Sequence, residues 1–123
     1  MSKTGGSAAG ERTLRQVHAL VVQAEAELDG QLDDAAAWAL GDLVPLQGEI
    51  RLLLGPDTIY PAPPARTGAD PVRLLDRAVE VMGSRSLNDY PAGAHVVLGA
   101  IIDAARNLAR YRGDTYPPQV CDA

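Results

Sequence analysis

Two histidines are the side chains best suited to metal binding or proton transfer in this chain of 123 residues. Glu11 and Glu25 each lie seven residues from His18, on the same face of a predicted helix. Asp103 follows His95 by eight residues. Metal ligands on one helix are normally three or four residues apart, so neither spacing predicts a metal site. We interpret His18 as a boundary histidine paired with a carboxylate, and as a candidate polar anchor for a ligand.

Asp103 is a second candidate polar anchor. It lies among apolar residues in the most apolar segment of the chain, so we expect its carboxylate to be buried and paired with Arg73 or Arg77. Cys121 is the only cysteine, which excludes an internal disulfide and a thiolate zinc site. No His or Lys neighbours Cys121 to activate its thiolate, so we do not interpret it as a nucleophile. No Gly-rich phosphate loop, nucleophile elbow or paired-carboxylate motif is present either, and we predict no catalytic residue, cofactor or metal.

Aromatic and cationic side chains offer a further set of contacts. Tyr60, Tyr90 and Tyr116 each precede proline, where a stiff extended backbone suits packing across helix ends and also suits a partner's groove. Trp38 is expected to close one end of the fold. Three arginines at the end of the last predicted helix complement its dipole or, alternatively, contact an anionic peptide or small anion. These are Arg106, Arg110 and Arg112.

The composition favours a small helical domain. Hydrophobic residues make up 46% of the chain and include no Phe, so the core must use Leu, Val, Ile and Ala, as closely packed helices do. A net charge of −5 argues against binding nucleic acid. Without an apolar leader or membrane-length apolar run, we expect a cytoplasmic protein that does not span a membrane. Ten of the eleven basic residues are Arg, which suggests a GC-rich bacterial genome.

Apolar residues at spacings of three and four predict four helices. Thr13 with Gln16 resembles a capping box, so the first helix is expected over about 12–29. Asp33 or Asp34 begins the second helix, and Asp70 with Pro71 begins the third. The fourth is expected to begin at Asn88 or Asp89 and to end at Gly113. The bundle then occupies residues 11–113, between a flexible arm over 1–10 and a tail over 114–123.

The helices are expected to form an all-α, up-and-down four-helix bundle. A Pro-rich connection over residues 55–69 joins the second helix to the third and is long enough to run from one end of the bundle to the other, which leaves the topology open. Apolar positions repeat at an offset of 58 residues, so that the second hairpin resembles the first. This pattern comes either from a duplicated hairpin or from chance similarity of periodic helices.

The first and fourth predicted helices carry more apolar residues than one buried face needs. Such a surplus favours self-association, most simply as a symmetric homodimer. The alternative is a well-wrapped monomer with scattered surface hydrophobes. The candidate interaction residues are Leu20, Val22, Val96, Ala100 and Ile102 on these helices, together with Tyr60 and Tyr116.

The sequence therefore favours a non-enzymatic interaction or regulatory protein that associates with itself or with another protein. The alternative is a small-molecule-binding bundle, or a small enzyme, with an apolar pocket and one polar anchor such as His18 or Asp103.

Overall fold

A computed structural model describes residues 7–31, 33–62 and 64–113. Within these ranges it contains helices and no strands, so the predicted all-α four-helix bundle is confirmed. The four helices are α1 (Ala8–Asp29), α2 (Asp34–Leu54), α3 (Pro71–Gly83) and α4 (Ala94–Tyr111), with a 3-10 turn at Leu87–Asp89 before α4.

Helices α2 and α3 begin at the side-chain caps that the sequence predicts. The carboxylate of Asp33 accepts a hydrogen bond from the backbone N–H of Ala36 at 2.7 Å and so begins α2. Asp70 caps α3 through the N–H of Val72 at 3.0 Å, and Pro71 occupies the first turn. These caps depend on neighbouring residues alone, which is why the sequence reveals them.

The start of α1 was predicted four residues too late. Ser7, not Thr13, is the N-cap, so that the helix already includes residues of the predicted arm. Thr13 is buried one turn inside the helix. Its hydroxyl donates to the carbonyl of Ala9 at 3.1 Å and accepts from Arg85 at 2.8 Å. Thr13 therefore joins α1 to the segment after α3.

The start of α4 was also predicted wrongly. Asn88 and Asp89 belong to the separate 3-10 turn, which Ser86 caps, and Pro91 lies outside α4. Gly93, with a φ of 97°, provides the turn into the helix without a side-chain cap. The prediction searched for an Asn or Asp side-chain cap and therefore placed the start of the helix too early. The helix begins instead after a glycine in the left-handed conformation, which needs no side-chain cap.

The helices are arranged as a square in which each packs against two neighbours. α1 and α4 each contact both α2 and α3, so α1 lies diagonally opposite α4. The backbone N–H of Ser7 donates to Asp89 at 2.8 Å, and Arg112 bonds both Gln31 and Asp70, at 3.0 and 3.2 Å. Neighbouring helices are therefore antiparallel, whereas α2 and α3 run in the same direction. The Pro-rich connection must return along the length of the bundle between them.

Glycine permits a close backbone approach at the start of α1. A Cβ atom on Gly10 would lie 2.0 Å from the carbonyl oxygen of Asp89, well inside van der Waals contact. Any larger residue at position 10 would push α1 away from the 3-10 turn.

The apolar core runs through the centre of the square. Five buried apolar residues of α2 each have a buried apolar counterpart 58 residues later in α4, and the duplication of the hairpin stays a prediction. The five pairs are Ala36 with Ala94, Ala39 with Val97, Leu43 with Ile101, Leu46 with Ala104, and Ile50 with Leu108.

Trp38 does not close an end of the bundle. It is 63% exposed, and its ring contacts Tyr111 edge-on, with 5.6 Å between centroids. Trp38 follows the buried Ala36 by two residues, a rotation of about 200° around the helix, and so faces away from the core.

Ile101→Asp tests the position of the core. Ile101 is fully buried, so an unpaired charge there should destabilise the fold by about 4 kcal/mol or more and abolish the helical signal in circular dichroism. Val96→Asp is the matched control, because Val96 is 53% exposed and lies in the first turn of α4, where a carboxylate is favourable. A helical Ile101→Asp variant of unchanged stability would contradict the assignment.

Candidate ligand-binding groove

The Pro-rich connection lies along the outer side of α1. We call its described residues, 55–62 and 64–69, the strap. Between the strap and α1 is a groove with a volume of about 1100 Å³. Small apolar residues of α1 form a strip along its floor, with polar and charged residues of the same helix beside them. Prolines and alanines of the strap form its roof, and α2 contributes Gln47 and Arg51 at one side. The floor residues are Ala19, Val22 and Ala26, and the roof residues are Pro61, Ala62, Pro64 and Ala65.

A buried carboxylate fixes one end of the strap. Glu27 is only 5% exposed and accepts the backbone N–H groups of Thr67 and Gly68 at 2.7 and 2.9 Å. It also accepts the Thr67 hydroxyl at 3.0 Å and the amide of Gln23. The Thr67 N–H is the main reason why the pKa of Glu27 lies below its ordinary value, and the other three donors help it outweigh desolvation. The charged form of Glu27 therefore holds the strap.

Three side chains fix the other end of the strap. Nε of Arg51 donates to Nε2 of His18 at 3.1 Å, and the guanidinium carbon lies 4.6 Å from the centre of the Tyr60 ring. The rings of His18 and Tyr60 are 4.5 Å apart and tilted by 42°. Tyr60 of the strap thus packs on a pair formed between α1 and α2. Its hydroxyl is buried and has no hydrogen-bond partner among the described residues.

His18 is neutral in this arrangement. Burial first, and then the charge of Arg51, lower its pKa below the ordinary value, so that Nε2 is free to accept the Arg51 hydrogen bond. Protonation would replace that acceptor with a donor. Folding lowers the pKa of His18, so neutral His18 contributes its full stabilisation of the folded state at pH values above the pKa that His18 has in the unfolded chain. This contribution is lost as the pH falls through the lower pKa of the folded state.

The predicted carboxylate partner of His18 was wrong. Glu11 pairs with Arg15 at 3.0 Å, and Glu25 accepts from Gln47 at 2.6 Å. Residues seven positions away lie two helical turns along the axis, about 10 Å, whereas α2 brings Arg51 directly against the imidazole.

Burial in the groove also affects Glu25. Desolvation raises its pKa, as does the charge of Asp29, while the hydrogen bond from Gln47 and the charge of Arg51 act in the opposite direction. Glu25 is therefore the groove carboxylate whose charged form is disfavoured.

Asp103 was predicted to be buried, and this was wrong. It is exposed and forms no ion pair with the described residues, Arg73 and Arg77 included. Asp103 follows the fully buried Ile101 by two residues, so its side chain is rotated about 200° from the core. The buried carboxylate is Glu27 instead.

The other predicted residues are dispersed over the molecule. Tyr60 and Val22 line the groove, whereas Leu20 and Ala100 are half-buried against the core. Val96 is exposed. The remaining positions share no site: Ile102 is half-buried, Arg106 and Arg110 are exposed, Arg112 bonds Asp70 and Gln31, and Tyr116 lies outside the described residues.

Sequence reasoning missed Glu27 and Arg51. Glu27 follows the buried Ala24 by three residues, and this spacing was the one available signal that it lies on the buried stripe. Arg51 is exposed on α2 and acquires its role only because Tyr60 folds back over it.

Comparison with protein-family models, with curated proteins and with solved structures gave no significant match. Within the described ranges, His, Cys, Asp and Glu form no group of three or more that could hold a metal ion. No helix of that part of the chain is long and apolar enough to cross a bilayer.

Glu27→Gln tests how the strap is held. The substitution preserves the size of the side chain but removes the charge that three N–H and O–H donors of the strap share. We expect amide hydrogen exchange at Thr67 and Gly68 to become about tenfold faster while the core helices stay protected. Glu49→Gln, exposed on α2, is the matched control.

Acid should have the same effect on the native chain. Since the pKa of Glu27 is lowered, the strap should stay bound below the ordinary glutamate range and separate as the pH falls through the lowered value. The amide chemical shifts of Thr67 and Gly68 report this transition.

Unchanged hydrogen exchange at Thr67 and Gly68 in the Glu27→Gln variant would show that other contacts hold the strap.

Proposed function

We propose that the protein binds a small organic molecule in the groove between α1 and the strap. The observation that carries this proposal is the combination of an apolar strip on α1 and an apolar roof with the polar cluster of His18, Arg51 and Tyr60 at one end of the groove. Ligand sites in proteins are typically concave, mostly apolar and provided with a few polar groups that fix orientation. The volume of about 1100 Å³ is slightly larger than the usual range for such sites, which extends to about 1000 Å³.

The chemistry of the groove supports binding more than catalysis. His18 is the lining group best suited to act as a general base, and its Nε2 already accepts the hydrogen bond of Arg51. The function we propose is therefore the alternative that the sequence left open, a ligand-binding bundle with His18 near the polar anchor.

Ala19→Trp tests this function by filling the groove floor. A thermal-shift screen of metabolites should give ligands that stabilise the native protein, by about 2.7 kcal/mol at a hundredfold excess over Kd. These ligands should have no effect on Ala19→Trp. Ala37→Trp is the matched control, because Ala37 is exposed on α2 outside the groove. A screen without ligands, or ligands that stabilise both variants equally, would contradict the proposal.

Self-association is the second candidate function, and a face of α2 supports it. Trp38, Pro45 and Leu52 are spaced seven residues apart and exposed, with Gly41 and Gly48 on the same side. Trp38 is 63% and Leu52 83% exposed. Small residues between large apolar ones let two helices approach closely, so we place the contact with a second copy on α2. The sequence had placed it on α1 and α4, which lie diagonally and do not form one surface.

Leu52→Lys tests the proposed contact on α2. Size-exclusion chromatography with light scattering should show a dimer of the native chain, and a monomer of Leu52→Lys, because a charge at the centre of an apolar interface is costly. Val96→Lys, on α4, is the control and should remain dimeric. A monomeric native chain would exclude this function, and dissociation by Val96→Lys alone would return the contact to α4.

A further inference from the structure

Arg51 presents a guanidinium that is held in place but only partly used. Its Nε is occupied by His18 and one face of its plane by Tyr60. Its two terminal Nη groups form no hydrogen bond or ion pair with any described residue. Two N–H donors in a fixed plane match the geometry of a carboxylate, and a guanidinium that is already oriented loses little entropy on binding one.

The charges around Arg51 favour an anion. The chain as a whole carries −5, yet four arginines and two carboxylates line the groove. Arg12 and Arg51 lie at the end near His18, where Arg15 is already paired with Glu11. The nearest acid, Glu25, is hydrogen-bonded to Gln47 and forms no ion pair with Arg51 within 4.0 Å. This end is therefore the cationic part of an acidic protein.

A narrow apolar strip runs along the floor beyond this end. Ala19 and Ala26 are seven residues apart, so the apolar strip extends about 10 Å along α1. Alanine and valine side chains leave room for an alkyl chain or a narrow ring, and the strap prolines cover it from above. Glu25 lies beside the strip and is hydrogen-bonded to Gln47, and Asp29 and Arg66 lie at the far end.

We infer that the ligand is an amphipathic carboxylate of medium chain length. Its carboxylate accepts two hydrogen bonds from the Nη groups of Arg51, and its apolar body lies on the strip from Ala19 to Ala26. The hydroxyl of Tyr60, which lacks a partner among the described residues, lies in the same cluster. This inference rests on the proposed function, because it specifies the chemistry of the same groove.

Isothermal titration calorimetry with octanoate and octanol tests the inference on the full chain. Octanoate should bind to the native protein at least tenfold more tightly than octanol, which has the same apolar body without the charge. Arg51→Gln should weaken octanoate binding by about tenfold or more and leave octanol unchanged, since a charged hydrogen-bond pair is lost. Arg51→Lys keeps the charge without the planar pair of donors and should give an intermediate loss.

Arg73→Gln is the matched control, because Arg73 is exposed on α3 away from the groove. The amide signals of Thr67 and Gly68 should be the same in Arg51→Gln and in the native protein, which shows that the strap is still attached at Glu27. Octanoate binding that survives Arg51→Gln would overturn the inference.

The outcomes separate the ligand class from the function. Equal affinity for octanoate and octanol would overturn the carboxylate and leave a groove for apolar molecules. If neither octanoate nor octanol binds, but a screened molecule binds to the native protein and not to Ala19→Trp, the ligand class alone is overturned. Absence of any ligand sensitive to Ala19→Trp would overturn the proposed function itself.

Discussion

The buried carboxylate of Glu27 is the interaction on which the groove depends. The strap is mostly exposed and has no helix of its own, so it must be fixed by contacts with α1. Glu27 fixes one end of it by accepting two backbone N–H groups and a hydroxyl from Thr67 and Gly68. A buried charge is stable only when it is fully hydrogen-bonded, and the strap is what supplies those donors. The hydrogen bonds that hold this end of the strap on Glu27 therefore also help to form the groove.

The position of the strap follows from the directions of the helices. α2 ends at the end of the bundle where α1 begins, and α3 begins at the opposite end, so the connection has to run along the whole length of α1. It covers the apolar residues Val22 and Ala26, which a sequence alone presents as surplus surface. The strap thus covers part of the apolar surface of α1 within one chain. The most exposed large apolar residues are Ile59 of the strap and Trp38, Val44 and Leu52 of α2.

The parts that the sequence predicts correctly are those set by local patterns. The helices come from apolar periodicity, and the starts of α2 and α3 come from Asp33 and Asp70, whose capping hydrogen bonds span two or three residues. The start of α4 depends on the backbone of Gly93, for which a capping motif gives no signal. The error at Asp103 is related. The prediction used the apolar composition of the segment and not the position of Asp103 around the helix, which places its side chain on the solvent side.

The groove could be predicted only in part. His18 was identified as a polar anchor, but its partner was not, because Arg51 reaches it from another helix. Periodicity records which side of a helix is buried and contains no information about which segment covers the other side.

The hydrogen bonds between Glu27 and the strap also bear on the order in which the chain folds. Glu27 and Thr67 are 40 residues apart in sequence, and the strap joins the two hairpins of the bundle. Contacts within each hairpin close shorter loops and form at a smaller entropic cost than contacts between hairpins. We therefore expect the strap to close over α1 after the two hairpins have formed, so that the groove is completed last.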